Sequence, residues 1–253
     1  MRPLEVQRLA KNFGGLAALR DVCLALEPGE RRALIGPNGA GKTTLFNLIS
    51  GVLAPSAGSI RLFGRDVTGH SVHRRAILGL GRTYQVNNLF HDLTVFENLL
   101  LGVQAAAPAR FAMHRPARTY RPLVARAEEL LRAWGLWDAR DVPVWELSYG
   151  VQRQVEIVLS LARAPRLLLL DEPTAGLSPG ERAAVGSMLR RLARETALLL
   201  IEHDMDVAFE VAETITVLHE GEVLAQGAPA AIKADPRVRE IYLGTEKIYG
   251  SNG

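Results

Sequence analysis

The sequence predicts an α/β fold built on a parallel sheet, and three segments support this prediction. Residues 31–35 (RRALI) form a short apolar segment that leads into a glycine-rich loop. Residues 44–50 (TLFNLIS), directly after that loop, have the apolar spacing of a helix. Residues 166–173 (RLLLLDEP) contain four consecutive leucines. Leucines on both faces of a strand are typical of a parallel sheet that helices cover on both sides.

The glycine-rich loop GPNGAGKTT fits the phosphate-binding pattern G-x-x-x-x-G-K-[ST] through Gly36, Gly41, Lys42 and Thr43. Its backbone N–H groups are expected to surround the β-phosphate, while Lys42 reaches the β and γ oxygens and the Thr43 hydroxyl ligates Mg²⁺. A merely flexible turn would not require Lys42 and Thr43 at these positions. The residues predicted to contact the phosphates are Gly36, Pro37, Asn38, Gly39, Ala40, Gly41, Lys42, Thr43 and Thr44.

Two adjacent carboxylates, Asp171 and Glu172, follow the leucine run. Ligands of parallel sheets bind beyond the carboxyl ends of the strands, where these two side chains are placed. Asp171 is expected to hold Mg²⁺ through its water shell, and Glu172 to orient and partly deprotonate an attacking water. The alternative is a solvated acidic pair, and the phosphate-binding loop upstream favours the catalytic interpretation.

The segment LSYGVQRQ, which begins at Leu147, is followed by apolar residues at helical spacing, and Ser148 is a good N-cap for that helix. A plain helix start is one interpretation. The segment also resembles the L-S-G-G-Q signature of the ATP-binding cassette (ABC) family. The resemblance implies that Ser148 and Gly150 complete the ATP site of an opposite cassette, so two cassettes would hold two ATP molecules between them. Tyr149 and Val151 depart from the signature.

Other motifs of the ABC family also match, and the resemblance covers nearly the whole chain. Phe13 matches the aromatic residue that stacks on adenine, Gln85 matches the glutamine that contacts Mg²⁺ or water and senses the membrane partner, and His203 matches the histidine at the γ-phosphate. Residues 175–179 (AGLSP) match the segment that crosses the dimer interface, although Ser178 stands where many cassettes have aspartate. The resemblance thus implies that Glu172, His203, Lys42 and Gln85 act in catalysis, and that Thr43, Gln85 and Asp171 hold the metal.

The resemblance implies one ABC ATPase domain over residues 1–253, of the P-loop NTPase fold. Residues 1–86 and 165–253 are expected to form a RecA-like nucleotide-binding lobe together with an antiparallel β subdomain. The segment between them, 87–164, has a helical pattern and is expected to form a helical lobe that carries the signature. Residues 215–227 are expected to be two strands joined at Glu220 and Gly221.

Composition excludes several classes of protein. No run of about 20 apolar residues is present, so no segment is expected to span a bilayer. The N-terminus lacks the apolar core of a signal peptide, and the lone Cys23 is compatible with a reducing cytosol. The net charge of +3 is too mild to indicate nucleic-acid binding, so nucleic acid is not expected as a partner. The charge does suit a peripheral protein on the cytoplasmic side of a membrane with anionic lipids.

Residues 105–122 form an inserted segment with four arginines and one histidine among prolines. A solvated, mobile loop is one interpretation. Contact with lipid headgroups or with a membrane subunit is the alternative.

Several segments together resemble the ATP-binding subunits of branched-chain amino acid importers within the ABC family. The resemblance implies membrane-embedded permease subunits, a second ATPase subunit and, indirectly, an external substrate-binding protein as partners. ATPases of urea or amide importers and of lipopolysaccharide exporters are alternatives, as is a soluble non-transport cassette protein. The segments are residues 13–22, 34–51, 81–85, 88–102, 147–150, 201–205 and 235–244.

Overall fold

The computed structural model describes residues 1–83, 89–107 and 117–249, and within them the chain forms two sheets flanked by helices. The strands are β1 (Leu4–Phe13), β2 (Leu16–Leu26), β3 (Arg31–Ile35), β4 (Ala57–Leu62), β5 (Arg65–Asp66), β6 (Leu80–Arg82), β7 (Leu167–Asp171), β8 (Ala197–Ile201), β9 (Thr214–His219) and β10 (Glu222–Gly227). The helices are α1 (Lys42–Ser50), α2 (Val72–Ile77), α3 (Val95–Ala106), α4 (Arg121–Ala133), α5 (Tyr149–Leu161), α6 (Pro179–Arg190), α7 (Met205–Val211), α8 (Pro229–Ala234) and α9 (Pro236–Tyr249).

The larger sheet has the strand order β10-β9-β3-β8-β7-β6. Five strands of this sheet run parallel to one another, namely β9, β3, β8, β7 and β6. The edge strand β10 runs antiparallel to its neighbour β9. All five residues of β7 and of β8 are buried. Because β3, β8 and β7 are parallel neighbours, the residues that follow them lie along one edge of the sheet.

The smaller sheet is antiparallel, with the order β2-β1-β4-β5. Its inner face packs against α1 and against the larger sheet in one apolar cluster that includes Leu4, Leu19 and Ile60. Phe46, from α1, is fully buried in the same cluster. Burial between the two sheets therefore fixes the position of α1, and with it the end of the glycine-rich loop from which this helix begins.

Helices α3, α4 and α5 pack on the other face of the large sheet. Leu99, Leu131 and Val158, one from each helix, are fully buried in a shared apolar cluster. Helix α3 begins with a capping box in which the Thr94 hydroxyl accepts from the Glu97 N–H and the Glu97 carboxylate accepts from the Thr94 N–H. No helix within the described ranges has the length and apolar character needed to cross a membrane.

The predicted fold class is confirmed, and several element boundaries were predicted closely. The predicted strand at residues 31–35 is β3. The predicted hairpin is formed by β9 and β10, with Glu220 and Gly221 between them. Helix α1 begins at Lys42, two residues before the predicted apolar stretch, because the phosphate-loop residues themselves form its first turn.

A fully buried arginine links α1 to the segment before α2. The Arg75 guanidinium donates to the carbonyl oxygens of Leu48 (2.7 Å), Ile49 (2.8 Å), His70 (3.0 Å) and Thr68 (3.1 Å). The side chain is 1% exposed. A cation at these carbonyls also complements the partial negative charge at the C-terminus of α1.

Replacing Arg75 is therefore expected to destabilise the protein. Arg75→Met removes the donors from several buried carbonyl groups, and we expect a loss of about 3 kcal/mol or more in the free energy of unfolding. Urea denaturation would measure this loss, with Arg74→Ala, an exposed neighbour, as the control. Equal stability of the two variants would contradict a structural role for the buried guanidinium.

Candidate active site

The glycine-rich loop lies between the end of β3 and the start of α1. Gly36 has φ 153°, and a Cβ at this position would lie 2.2 Å from the Leu218 carbonyl oxygen, so no other residue fits without a backbone shift. The Lys42 amine donates to the carbonyl oxygens of Gly36 (2.6 Å) and Pro37 (3.0 Å). The loop therefore curves around the ammonium group at the start of α1, whose first turn carries no acidic residue. A helix N-terminus of this kind favours a bound anion.

Burial lowers the pKa of Lys42 below its usual range, and the nearby Glu172 and Asp171 carboxylates oppose this shift. The lysine side of the site is thus an ammonium group with few solvent contacts, held close to two acidic groups. Such a group attracts phosphate oxygens strongly because water does not screen it.

A cleft of about 680 Å³ opens over the loop and brings most of the predicted nucleotide-binding residues together. Gly36 and Pro37 do not line it directly, and they contribute through their carbonyl contacts with Lys42. The lining residues are Phe13, Leu16, Ala17, Ala18, Arg20, Asn38, Gly39, Ala40, Gly41, Lys42, Thr43, Thr44, Glu172, His203, Glu220 and Gly221.

Phe13, the last residue of β1, also lines the cleft. Its ring is exposed, with the Lys11 ammonium 5.1 Å from the ring centroid. An exposed ring at the rim of a cleft offers a flat surface on which a base can stack. Arg20 and Glu220 also line this cleft and were not predicted from the sequence as site residues.

Asp171 is 1% exposed, and neither of its carboxylate oxygens has a hydrogen-bond partner among the described residues. Burial raises the pKa of this carboxyl group above its usual range, while Arg82, with a nitrogen 4.0 Å from Oδ2, acts in the opposite direction. A buried carboxylate without donors needs a cation or ordered water to offset its desolvation. Asp171 together with the exposed Thr43 hydroxyl in the cleft therefore fits a magnesium ion and its water shell.

Glu172 reaches the cleft through an unusual backbone conformation. Its φ is 48°, in the left-handed region that non-glycine residues rarely adopt. Its N–H donates to the Ile201 carbonyl (2.9 Å), which holds this conformation. Strain of about 1–3 kcal/mol is commonly found at functional sites. The Glu172 carboxylate then lies against the His203 imidazole, with Oε1 2.8 Å from Nε2.

Glu202 was not singled out from the sequence, although it connects two segments of the site. Its buried carboxylate accepts from the Thr174 N–H (3.1 Å), the Thr174 hydroxyl (2.7 Å) and the His203 N–H (3.2 Å). Burial raises the pKa of Glu202 above its usual range, although these donors act against the shift. The contacts hold the backbone after β7 against the backbone of His203. A charged residue that directly follows the apolar strand ALLLI was the available signal.

Arg153 has a similar bracing role from α5. Its buried guanidinium donates to the carbonyl oxygens of Asp171 (3.0 Å), Glu172 (3.1 Å) and Pro173 (3.0 Å), and it forms an ion pair with Glu156. These bonds fix the backbone that carries both site carboxylates. The sequence signal was an Arg–Glu pair at i, i+3 within the apolar stripe of a helix.

Two of the predicted residues stand apart from the cleft. Ser148 and Gly150 lie at the start of α5 and are not among its lining residues. Gln85 lies outside the described residues, as do residues 108–116, which are half of the arginine-rich insertion. Gln152 donates its side-chain amide to the carbonyls of Val144 and Leu147, so it is directed towards the segment before the helix.

The sequence of the chain matches two known family models. A family model described as ABC transporter matches residues 19–175. The chain belongs to the ABC transporter family. A second family model, described as branched-chain amino acid ATP-binding cassette transporter, matches residues 222–248. Members of this kind hydrolyse ATP for transport, and this chain is accordingly an ATP-binding, ATP-hydrolysing transporter subunit.

Curated relatives align with the chain over nearly its full length. The high-affinity branched-chain amino acid transport ATP-binding protein BraF of Pseudomonas aeruginosa is 38% identical over 95% of this chain and 97% of its own. LivG of Salmonella typhimurium, with the same description, is 38% identical with the same coverage. The lipopolysaccharide export system ATP-binding protein LptB of Acidithiobacillus ferridurans is 35% identical over 96% of this chain and 97% of its own.

Solved structures of ATP-binding cassettes also match the fold. A cassette in its ADP conformation has a TM-score of 0.86 and 30% identity, and covers 96% of this chain and 99% of its own. A nucleotide-free cassette has a TM-score of 0.84 at the same identity and coverage. A dimeric cassette in a post-hydrolysis state, bound to ADP and Pi, has a TM-score of 0.73 and 25% identity over 89% of this chain and 98% of its own.

Replacing Glu172 is expected to separate ATP binding from hydrolysis. Glu172→Gln still offers an oxygen to a water molecule but cannot take its proton, so we expect turnover to fall about 10²- to 10⁴-fold while ATP binding persists. Phosphate release and nucleotide binding would be measured on the same preparation. Glu195→Gln, at an exposed position, is the control. Phosphate release near the wild-type rate in the Glu172 variant would remove this residue from the role of general base.

Proposed function

We propose that this chain is the ATP-hydrolysing subunit of a membrane importer for branched-chain or other hydrophobic amino acids. The observation that carries the proposal is the match of residues 222–248 to the family model for branched-chain amino acid cassettes. This segment covers β10, α8 and most of α9, so it lies outside the nucleotide cleft and distinguishes this chain within the ABC family. BraF and LivG, described as transport proteins for branched-chain amino acids, give the same assignment.

The proposed chemistry assigns one task to each side chain of the cleft. Glu172 orients the attacking water and accepts its proton, and the His203 imidazole, in contact with that carboxylate, donates towards the γ-phosphate. Lys42 stabilises the negative charge on the oxygens of the γ-phosphoryl group while that group is transferred. Thr43, Asp171 and Gln85 are the residues proposed to hold magnesium, which would supply positive charge to offset the negative charge of the phosphates.

The proposed site is shared between two cassettes. Ser148 and Gly150 do not line the cleft of their own chain, and the exposed Ser148 and Tyr149 place the start of α5 on another surface. In a pair of cassettes, this surface would close over the nucleotide of the partner. The second cassette is either another copy of this chain or a sister subunit. The dimeric relative bound to ADP and Pi supports an arrangement in pairs.

The remaining partners follow from the same proposal. The cassettes would be peripheral to the cytoplasmic face of the membrane, beneath two permease subunits. An external substrate-binding protein would deliver the cargo without contact with the ATPase. Lipopolysaccharide export is the second candidate function, because LptB is 35% identical over nearly the same length. Import of urea or short amides is a third cargo assignment for the same machinery.

Transport by the assembled complex tests the proposed cargo. The chain, its permease subunits and the external binding protein would be reconstituted in lipid vesicles. Leucine, isoleucine or valine is expected to stimulate ATP hydrolysis and to accumulate in the vesicles, whereas a complex that carries Glu172→Gln should transport none of them. Stimulation by lipopolysaccharide, with no response to any amino acid, amide or urea, would overturn the importer assignment.

A turn before α3 is proposed to contact the permease. Phe90 is 59% exposed, whereas its neighbour Leu89 is 6% exposed and packs in the helical cluster. The buried Asn98 side chain accepts from the Phe90 N–H (2.8 Å) and donates to the Phe90 carbonyl (3.0 Å). The exposed ring is therefore presented on a firmly held turn, which suits an anchor for a short helix of the membrane subunit.

Phe90→Ala is expected to weaken assembly with the permease without disabling the cassette. Truncation of a buried interface anchor commonly costs about 2 kcal/mol or more of binding free energy. The basal ATPase rate of the isolated cassette should stay within a few-fold of wild type. Copurification with the permease and substrate uptake would be measured, and Ile77→Ala, which removes an equally exposed side chain, is the control. Unchanged uptake by the Phe90 variant would argue against this docking site.

A further inference from the structure

Glu181, in the first turn of α6, connects two helix starts. Its Oε1 accepts from the Gly150 N–H (3.1 Å) and the Ser148 hydroxyl (3.3 Å) at the start of α5. Its Oε2 accepts from the Ser178 N–H (3.0 Å) and the Ser178 hydroxyl (2.8 Å), which completes the capping box of α6. One carboxylate thus occupies the donors of the signature segment while it also caps its own helix.

The contact with α5 depends on the absence of a side chain at position 150. A Cβ on Gly150 would lie 2.4 Å from Glu181 Oε1 and 2.5 Å from its carboxyl carbon. The carboxylate therefore occupies the space directly above the first turn of α5. Ser148 also accepts from the Val151 N–H, so its hydroxyl is held in place as a donor towards Glu181.

The occupant of this position is an anion at neutral pH. The pKa of Glu181 is held below its usual range, chiefly by the hydrogen bonds from the Ser178 hydroxyl and N–H. The hydrogen bonds from Gly150 and Ser148 act in the same direction. Helix α5 has no acidic residue in its own first turn, so the negative charge at its N-terminus comes from α6. A helix N-terminus stabilises such a charge, and it would stabilise a phosphate oxygen for the same reason.

We propose that Glu181 is a positioning residue of the signature segment that competes with the nucleotide of the partner cassette. In the separate chain it holds the Ser148 and Gly150 donors in a fixed arrangement. When two cassettes close, the γ-phosphate and the Glu181 carboxylate cannot both accept from these donors, so Oε1 must withdraw. The inference rests on the proposed function, because it requires the start of α5 to face the nucleotide of a second cassette.

The withdrawal does not require α6 to unravel. The Ser178 contacts use Oε2, and the contacts with α5 use Oε1. Loss of the second set leaves the capping box of α6 in place. The cost of closure is therefore confined to the exchange of one anion for another at the start of α5. The expected consequence is that closure of the two cassettes needs a higher ATP concentration than it would if Glu181 did not occupy the donors at the start of α5.

Glu181→Gln tests this competition without removal of the cap, because glutamine also satisfies the capping-box pattern. Glu97→Gln is the matched control, since Glu97 occupies the same position in the capping box that Thr94 forms at α3. Both changes would be made in the assembled transporter on the Glu172→Gln background, where bound ATP is not consumed. The measured quantity is the ATP concentration that gives half-maximal retention of radiolabelled ATP.

Glu181→Gln is expected to lower this concentration on the order of tenfold, because the competing acceptor loses its charge. Glu97→Gln should leave it unchanged. An unchanged or raised concentration in the Glu181 variant would overturn the competition and leave the proposed function intact. An equal decrease in both variants would also overturn it, since the effect would then not be specific to α5. ATP retention by none of the complexes would overturn the shared site, and with it this inference.

Discussion

The parallel pairing of β3, β8 and β7 is the constraint on which the site depends. Because these three strands are neighbours and run in the same direction, the segments that follow them meet at one edge of the sheet. Lys42 follows the first, His203 the second and Glu172 the third. The buried apolar residues of β7 and β8 hold the strands in register. The apolar interior thus determines the spacing of the charged groups, although none of its residues contacts a nucleotide.

The charged groups at this edge are held by donors and acceptors that are not themselves exposed. The Glu202 carboxylate accepts a hydrogen bond from the backbone N–H of His203. The Arg153 guanidinium donates to the backbone carbonyl of Glu172. Both are buried ions, and each satisfies several backbone groups at once. Asp171 differs, because its two oxygens have no such donors in the described part of the chain. The backbone around the site is therefore fixed, and Asp171, whose charged neighbour Arg82 stands 4.0 Å away, is the buried carboxylate whose desolvation a divalent cation would offset.

The sequence predicts the local parts of this arrangement better than the distant ones. Gly36, Lys42 and Thr43 form a pattern within nine residues, and the buried strand before Asp171 is evident from its leucines. The contact of Glu202 with Thr174 joins residues 28 positions apart, and that of Glu181 with Gly150 joins residues 31 apart. No periodicity indicates such pairs, since they depend on how separate segments meet in the folded chain.

The helix starts show how local rules and distant contacts combine. Helices α3 and α6 supply acidic residues to their own first turns, whereas α1 and α5 do not. At α1 the Lys42 ammonium adds positive charge, so the loop is suited to an external anion. At α5 the charge is supplied by Glu181 of α6. A helix start that accepts a carboxylate from another element has donors that also suit an external anion. The starts of α1 and α5 both carry residues predicted to contact phosphate, but they differ in one respect. At α5 the protein itself provides an acceptor for the N–H groups, the Glu181 carboxylate, whereas the first turn of α1 has no acidic residue.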